Sequence, residues 1–205
     1  RPELRASEQT PVTPQRWRRD LNEVLPADAI VFSDIGGHML FNIHNLRFGR
    51  DQQFFINLSF ACMGHGTVAP IGAKLAVGDR PVFGIVGDAC FTMNGMELLV
   101  AVEYDVPVIW IIENNQMHGV TWHATAKARG APMDSIVYKK PLQIDKLASA
   151  MGLELFVVEG PGQMQAAVTE ALARNRPTVI EVRVDPSIGP PLEDRAELIG
   201  GFSRE

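Results

Sequence analysis

The sequence contains little cysteine, no excess of positive charge and no long apolar run. Its two cysteines, Cys62 and Cys90, are too few for a disulfide framework and form no C-x-x-C pair, so we expect a reducing, cytoplasmic setting. Lysine and arginine number 19 against 24 for aspartate and glutamate, and the net charge of −5 argues against binding to nucleic acid. Because no apolar run reaches membrane-spanning length, no contact with a membrane is predicted.

The composition is otherwise that of one globular domain. Hydrophobic residues make up 46% and charged residues 21% of the 205 positions, which is enough to bury a core. Residues 1–12 are charged and poor in large apolar side chains, so they are predicted to form a linker or arm. We expect the domain to occupy residues 13–185, followed by a loosely packed, acidic tail over residues 186–205.

Short apolar runs alternate with helical patterns along the domain. Helices are predicted over residues 14–25, 68–75, 94–104, 143–151 and 163–174. Strands are predicted over residues 29–33, 81–86, 107–113, 153–158 and 178–184. The alternation predicts an α/β fold, with a doubly wound, mainly parallel sheet of about six strands and helices on both faces.

Three of the predicted strands end in glycine together with acidic or amide side chains. These endings contain Asp34 to His38, Gly87-Asp88 and Asn114 to Gly119. Ligands of doubly wound sheets bind beyond the carboxyl ends of the strands. Glycine lets backbone amides approach an anion, and Asp88 and Asn115 supply the oxygen donors that Mg²⁺ or Ca²⁺ prefers. We therefore expect a metal ion and a diphosphate to bind at this edge.

The spacing of these endings resembles a known motif. Gly87-Asp88 is followed by Asn114-Asn115, with Asn115 standing 27 positions after Asp88. This pattern resembles the diphosphate-and-metal motif of thiamine-diphosphate-dependent enzymes, in particular the acetohydroxyacid synthase and pyruvate decarboxylase families. The resemblance covers residues 13–184 and corresponds to the C-terminal, diphosphate-binding domain of those enzymes.

The resemblance implies a role for each residue of the motif. Mg²⁺ would be bound by the side chains of Asp88 and Asn115 and by the backbone carbonyl of Met117. The loop containing Gly37 and His38 would touch the diphosphate of the cofactor. The other implied cofactor-binding residues are Met63 beneath the cofactor rings, Gly87, the backbone amides of Ala89, Cys90, His118 and Gly119, and Val120 near the reacting centre.

The sequence departs from the family pattern at several positions. Ala89 replaces the commoner glycine, a variant that the synthase family tolerates. Gly37 replaces a glutamine, His65 replaces an aromatic residue and Cys90 stands where serine is common. These changes remove no metal ligand, but they leave the subfamily open.

The implied reaction is that of a thiamine-diphosphate-dependent transferase or lyase acting on a small 2-oxo acid. Acetolactate-synthase-like carboligation is expected from the turn Met63 to Gly66 and from the Gly-Asp-Ala variant. A simple 2-oxo acid decarboxylase stays an alternative, as does a non-catalytic scaffold of the same fold. A nicotinamide or flavin dinucleotide binder is disfavoured, since no G-x-G-x-x-G follows a predicted strand.

The resemblance also implies a partner. In these enzymes the glutamate that activates thiamine lies on a different domain, so we expect no complete set of catalytic residues in this chain. A pyrimidine-binding domain or subunit should complete the site, within a homodimer, a homotetramer or a hetero-oligomer. The chain would then be either a fragment of a longer polypeptide or one subunit of a split enzyme.

Overall fold

The computed structural model describes residues 2–192, which form a parallel sheet of six strands. The strand order is β2-β1-β3-β4-β6-β5, and every neighbouring pair is parallel. The strands are β1 Ile30–Ser33, β2 Gln53–Ile56, β3 Val82–Gly87, β4 Val108–Asn114, β5 Glu154–Val158 and β6 Thr178–Arg183. The predicted α/β class with a parallel, six-stranded sheet is confirmed.

Helices pack on both faces of this sheet. The α-helices of residues 2–192 are α1 Pro2–Arg5, α2 Pro14–Val24, α3 Gly37–Asn45, α4 His65–Val77, α5 Asp88–Asn94, α6 Leu98–Glu103, α7 Gly119–Arg129, α8 Ile144–Ala150 and α9 Gln163–Arg174. One core lies between the sheet and the helices α2 and α9, and the other lies between the sheet and the helices α4, α5, α6 and α8. Because both faces are covered, every residue of β3 and β4 is buried.

The start of α2 shows how the sequence sets a helix boundary. Thr13 caps the helix, since its hydroxyl oxygen accepts a hydrogen bond from the Arg16 amide at 3.1 Å, and Pro14 occupies the first helical position. The apolar side chains of Trp17 and Leu21 are fully buried against the sheet. Capping and burial together place α2 within a residue of its predicted span.

The structure differs from the predicted elements in three places. The helix predicted over residues 94–104 is confirmed only in its second half, because a 3₁₀ turn at Gly95–Glu97 precedes the shorter α6. The helix predicted over 68–75 begins earlier, at His65, where Gly64 takes a left-handed conformation with φ 94°. Five of the described strands and α-helices were not predicted at all, namely β2, α1, α3, α5 and α7.

The ends of the chain lie against the domain where they are described. The predicted arm contains α1, and its last residue, Val12, is fully buried and forms a parallel bridge with Val184. In the predicted tail, the Pro186 carbonyl lies 3.2 Å from His123 Nε2. The rest of the tail, residues 193–205, lies outside the described residues, and the domain boundaries at 12/13 and 185/186 stay predictions. None of the described helices is long and apolar enough to cross a membrane.

Candidate cofactor-binding site

The carboxyl ends of β1, β3 and β4 meet at one edge of the sheet. These strands are direct neighbours, and their registers pair Ser33 with Ile85 and Gly87 with Glu113. The loops that follow them enclose a cavity of about 60 Å³. This is the edge at which the sequence predicts a ligand.

All twelve residues predicted to bind the metal or the cofactor line this one cavity. They are Gly37, His38, Met63, Gly87, Asp88, Ala89, Cys90, Asn115, Met117, His118, Gly119 and Val120. Four further residues line it that the sequence reasoning did not select, namely Ile35, Gly36, Glu113 and Thr121. The fold therefore gathers residues from four separate segments of the chain around one space.

Asp88 is the one carboxylate among the three predicted metal ligands, and only 5% of its surface is exposed. Its Oδ1 accepts from the Ala89 amide at 2.8 Å, and its Oδ2 accepts from the Gln116 amide at 2.7 Å. The second bond ties the end of β3 to the loop that carries Asn115. Burial and the nearby carboxylate of Glu113 raise the pKa of Asp88 to about 7, although the backbone hydrogen bonds lower it. A divalent cation would supply the positive charge that this carboxylate otherwise lacks.

Asn115 and Met117 provide the two neutral oxygen donors. Asn115 Oδ1 accepts from the Met117 amide at 3.2 Å, and the Met117 carbonyl accepts from the Gly119 amide at 2.9 Å. Gly119 leaves room for this arrangement, because a Cβ there would come within 2.4 Å of Asn115 Nδ2. One carboxylate, one amide oxygen and one carbonyl form a donor set that fits Mg²⁺, which usually keeps waters and substrate phosphates as its other ligands.

No cluster of three His, Cys, Asp or Glu side chains among residues 2–192 could hold a metal ion by itself. A site for Mg²⁺ does not need such a cluster when a diphosphate completes the coordination. The donor set beside Asp88 is thus suited to a metal that arrives together with its phosphate ligand.

Three of the four amides predicted to hold the diphosphate already donate to protein oxygens. The Ala89 amide donates to Asp88 Oδ1, the His118 amide to the Ile136 carbonyl at 3.1 Å and the Gly119 amide to the Met117 carbonyl. Residues 119–129 form α7, whose first turn has no capping side chain. Within the described part of the chain, the amides of Val120 and Thr121 in that turn donate to no protein acceptor. Such free amides at a helix N-terminus are suited to an anion.

His38 adds a ring nitrogen to the same space. The imidazole is buried, and its Nε2 has no hydrogen-bond partner among residues 2–192. Gly87 and Gly36 make room for the ring, because a Cβ on either would lie about 2.9 Å from an imidazole atom. Burial, together with the positive charge of Arg18, lowers the pKa of His38 to about 3, so the ring is neutral at pH 7. A neutral imidazole can still donate one N–H to a phosphate oxygen.

Asp34 fixes the turn that carries Met63. Its carboxylate accepts from the amides of Gly64 at 3.0 Å and Gly66 at 3.1 Å. Gly66 is required for this approach, since a Cβ would come within 2.7 Å of the Asp34 backbone. The turn between β2 and α4 is thereby held against the cavity, with Met63 in its lining.

The two cysteines are not arranged as nucleophiles. The buried thiol of Cys90 donates to the Ile35 carbonyl at 3.2 Å, and burial raises its pKa far above the usual range. Cys62 Sγ accepts from Asn57 Nδ2 at 3.7 Å. Cys90 therefore acts as a small, neutral side chain in the lining of the cavity.

Sequence reasoning missed the polar residues behind the cavity. Glu113 lines the cavity and accepts from Arg18 Nη1 at 2.6 Å and from Trp17 Nε1 at 3.0 Å. It also missed Tyr138, whose hydroxyl lies 3.3 Å from His118 Nε2. Burial and the charge of Asp88 raise the pKa of Tyr138 to about 12. An acidic residue at the end of an otherwise apolar strand was the one available signal for Glu113.

Fold and site together define a class of protein: a parallel α/β domain that binds an anionic cofactor beyond its strand ends. Comparison with known proteins gives the family. Residues 34–182 match the family described as "Thiamine pyrophosphate enzyme, C-terminal TPP binding domain". The chain belongs to this family, and its relatives are thiamine-diphosphate-dependent enzymes (thiamine pyrophosphate is the same compound).

The relatives carry out more than one reaction. A probable acetolactate synthase large subunit of Methanocaldococcus jannaschii is 28% identical over 188 residues, which are 89% of this chain and 32% of that protein. A sulfoacetaldehyde acetyltransferase of Alcaligenes xylosoxydans is 30% identical over 186 residues, which are 87% of this chain and 30% of that protein. A solved thiamine diphosphate-dependent 4-hydroxybenzoylformate decarboxylase of Rhodococcus jostii superposes with a TM-score of 0.79 at 25% identity, covering 88% of this chain and 34% of its own. The chain thus spans about a third of the length of these relatives.

Proposed function

We propose that this chain is the diphosphate- and magnesium-binding part of an acetolactate-synthase-like enzyme that acts on a small 2-oxo acid. One observation carries the proposal: residues that follow two adjacent strands, β3 and β4, place a carboxylate, an amide oxygen and a carbonyl around one cavity. The family match and the acetolactate synthase relatives support the choice of cofactor and of reaction class.

The residues of the cavity have separate tasks in this proposal. Asp88, Asn115 and the Met117 carbonyl hold Mg²⁺, and the metal in turn holds the diphosphate. The free amides of the first turn of α7 and the orphan Nε2 of His38 donate to the diphosphate oxygens. Met63 supports the cofactor rings from the turn that Asp34 fixes. Thiamine diphosphate, when bound, supplies the electron sink that lets a 2-oxo acid lose carbon dioxide.

The chain spans about a third of the length of its relatives. The proposed partner is a pyrimidine-binding domain or subunit, in a homodimer, a homotetramer or a hetero-oligomer in the cytoplasm. Its docking surface would be the apolar layer, which we define as the exposed side chains of Leu75, Met93, Met96, Leu99 and Val100 on α4, α5, α6 and the 3₁₀ turn. These elements contact one another, so the layer is continuous enough to mark an interface.

Simple decarboxylation is the second candidate reaction. It is favoured by the superposition on the 4-hydroxybenzoylformate decarboxylase, which covers 88% of this chain. The two candidates differ in the fate of the carbon left after decarboxylation. Product analysis of the assembled enzyme decides between them, because a carboligase transfers that carbon to an acceptor and a decarboxylase releases it as an aldehyde.

The test of cofactor binding compares two aspartates at opposite ends of the sheet. Asp88→Asn removes the charge of the predicted metal ligand, and Asp105→Asn removes an exposed charge before β4. The full chain is titrated calorimetrically with thiamine diphosphate in the presence of Mg²⁺. We expect Asp88→Asn to weaken binding about 100-fold, since a buried metal ligand has no substitute in the cavity, and Asp105→Asn to leave it unchanged.

Equal affinities of the wild-type chain and of Asp88→Asn would refute the proposal. Binding that persists in full after removal of Mg²⁺ would refute the metal part of it. The scaffold alternative predicts no metal-dependent binding in any of the three proteins.

A further inference from the structure

A fully buried ion pair lies directly behind the cavity. Arg18 on α2 has no exposed surface, and its Nη1 donates to Glu113 Oε2 at 2.6 Å. The Glu113 side chain is 4% exposed, and the same oxygen accepts from Trp17 Nε1 at 3.0 Å. Both charges are therefore withdrawn from water at the end of β4.

The same guanidinium joins two walls of the cavity. Its Nη2 donates to the His38 carbonyl at 3.0 Å, and its Nε donates to Asn42 Oδ1 at 2.7 Å, so it holds α3 at two points. Through Glu113 it also holds the end of strand β4, two residues before Asn115. One side chain thus connects the His38 loop to the loop of the predicted metal ligands.

Asn42 carries this connection to the end of β1. Its Nδ2 donates to Ser33 Oγ at 2.9 Å, and that hydroxyl donates to the Asp34 carbonyl at 3.1 Å. Asp34 in turn binds the turn that carries Met63. The buried network therefore links the end of β4 to the end of β1 and, through Asp34, to the turn that carries Met63.

Stability alone does not account for charges at this place. Burial removes the hydration of both ions, and an apolar pair of similar size is often as stable as a buried ion pair or more stable. An apolar pair would not bind the His38 carbonyl and Asn42 at once, whereas the planar fork of arginine presents donors in fixed directions. The function of the charges is thus better sought in the geometry that they impose.

We propose that Arg18 and Glu113 are positioning residues, which set the separation between His38 and the metal-binding loop at Asn115. The inference rests on the proposed function, because it concerns the same cavity. Groups that orient metal ligands from behind alter metal affinity by roughly 10- to 100-fold when they are replaced. We expect an effect of about tenfold here, since neither residue is itself a ligand.

The experiment separates positioning from stability by removing both charges together. The double variant Arg18→Met/Glu113→Gln avoids an unpaired buried ion, and the glutamine keeps an acceptor for Trp17 Nε1. Arg19→Met is the matched control, because Arg19 is the next residue of α2 and its side chain is 42% exposed. The probes are Mg²⁺ with inorganic pyrophosphate, titrated calorimetrically into the full chain, and urea unfolding without ligand.

The double variant should unfold near the wild-type midpoint and bind magnesium pyrophosphate about tenfold more weakly. Arg19→Met should change neither quantity. Wild-type affinity in the folded double variant would overturn the inference. If the double variant does not fold, Arg18→Lys replaces it: a lysine beside Glu113 keeps the charge but does not reach both His38 and Asn42. Reduced affinity of Arg18→Lys supports the inference, and unchanged affinity overturns it.

A wild-type chain that binds no magnesium pyrophosphate would instead refute the proposed function. Hydrogen exchange in the ligand-free chain then tests the positioning role by itself. Faster exchange over residues 37–45 in the double variant, with Arg19→Met like the wild type, supports the inference. Wild-type exchange over these residues in the double variant overturns it.

Discussion

The helical layers on the two faces of the sheet differ in how far their large side chains are buried. On the face covered by α2 and α9, which we call the finished side, Trp17 and Arg18 are fully buried and both donate hydrogen bonds to Glu113. On the other side, the apolar layer keeps large side chains in water, with Leu75 68% and Met96 57% exposed. The chain therefore completes the wall behind the cavity by itself, and the opposite layer is the surface proposed for the partner. The comparison separates contacts that this chain makes within itself from the surface proposed for assembly.

The largest expected effect is on the finished side. Trp17→Ala should lower the free energy of unfolding by about 3–5 kcal/mol, because it empties a fully buried site and removes a donor from Glu113. Leu99→Ala on the apolar layer is the control and should change it by about 0.5 kcal/mol or less. Urea unfolding of both variants measures the contrast. Similar losses would mean that the two layers are equally important for the fold.

The second prediction concerns the acid stability of the finished side. The pKa of His38 is about 3 in the folded chain against an ordinary 6.5, so the folded state binds fewer protons than the unfolded state between these values. Stability should therefore fall as the pH falls through this window, by about 2 kcal/mol between pH 7 and pH 5 for this group alone. His38→Gln should remove this part of the pH dependence.

The measurement is the free energy of unfolding at pH 7 and pH 5 for the wild type and for His38→Gln. The buried carboxyl of Asp88 acts in the opposite direction, because its raised pKa favours the folded state in acid. It is present in both proteins, so the difference between them isolates His38. Parallel pH profiles would contradict the buried, neutral imidazole beside Arg18.

The smallest effect on stability is expected on the apolar layer. Met96→Ser combined with Leu99→Ser should change the free energy of unfolding by about 0.5 kcal/mol or less, because both side chains are largely in water. The same change should weaken assembly, which sedimentation of the chain with its partner measures. Ile43→Ser on α3 is the control, since Ile43 is 49% exposed on the finished side. If Ile43→Ser abolished assembly and the double variant did not, the interface would include α3 and not the apolar layer, which would contradict the prediction.

The sequence predicts this molecule best where the signal is local. The α9 helix matches its predicted span of residues 163–174, and five of the six strands were found within about two residues, because their periodicity and glycine boundaries are written in neighbouring positions. Asp88 and Asn115 were selected together because adjacent parallel strands bring their carboxyl ends to one edge. The edge strand β2 was missed because it has only four residues, and none of them is fully buried.

The features that were missed depend on contacts distant in the sequence. Arg18 has the pattern of a surface residue on an amphipathic helix, and only the end of β4, 95 positions away, makes it a buried partner of Glu113. The His118 amide was expected to hold the diphosphate, yet in the structure it donates to the carbonyl of Ile136, 18 positions later in the chain. The family resemblance thus identified twelve residues of the cavity, whereas the supporting bonds required the folded chain.

The most direct test of the central claim is to locate the metal. Crystals of the full chain grown with thiamine diphosphate and Mn²⁺ in place of Mg²⁺ would show the ion by its anomalous scattering. The account predicts one ion between β3 and β4, coordinated by the side chains of Asp88 and Asn115, the Met117 carbonyl and the diphosphate. An ion bound elsewhere, or a bound cofactor whose diphosphate lies away from these three residues, would contradict it.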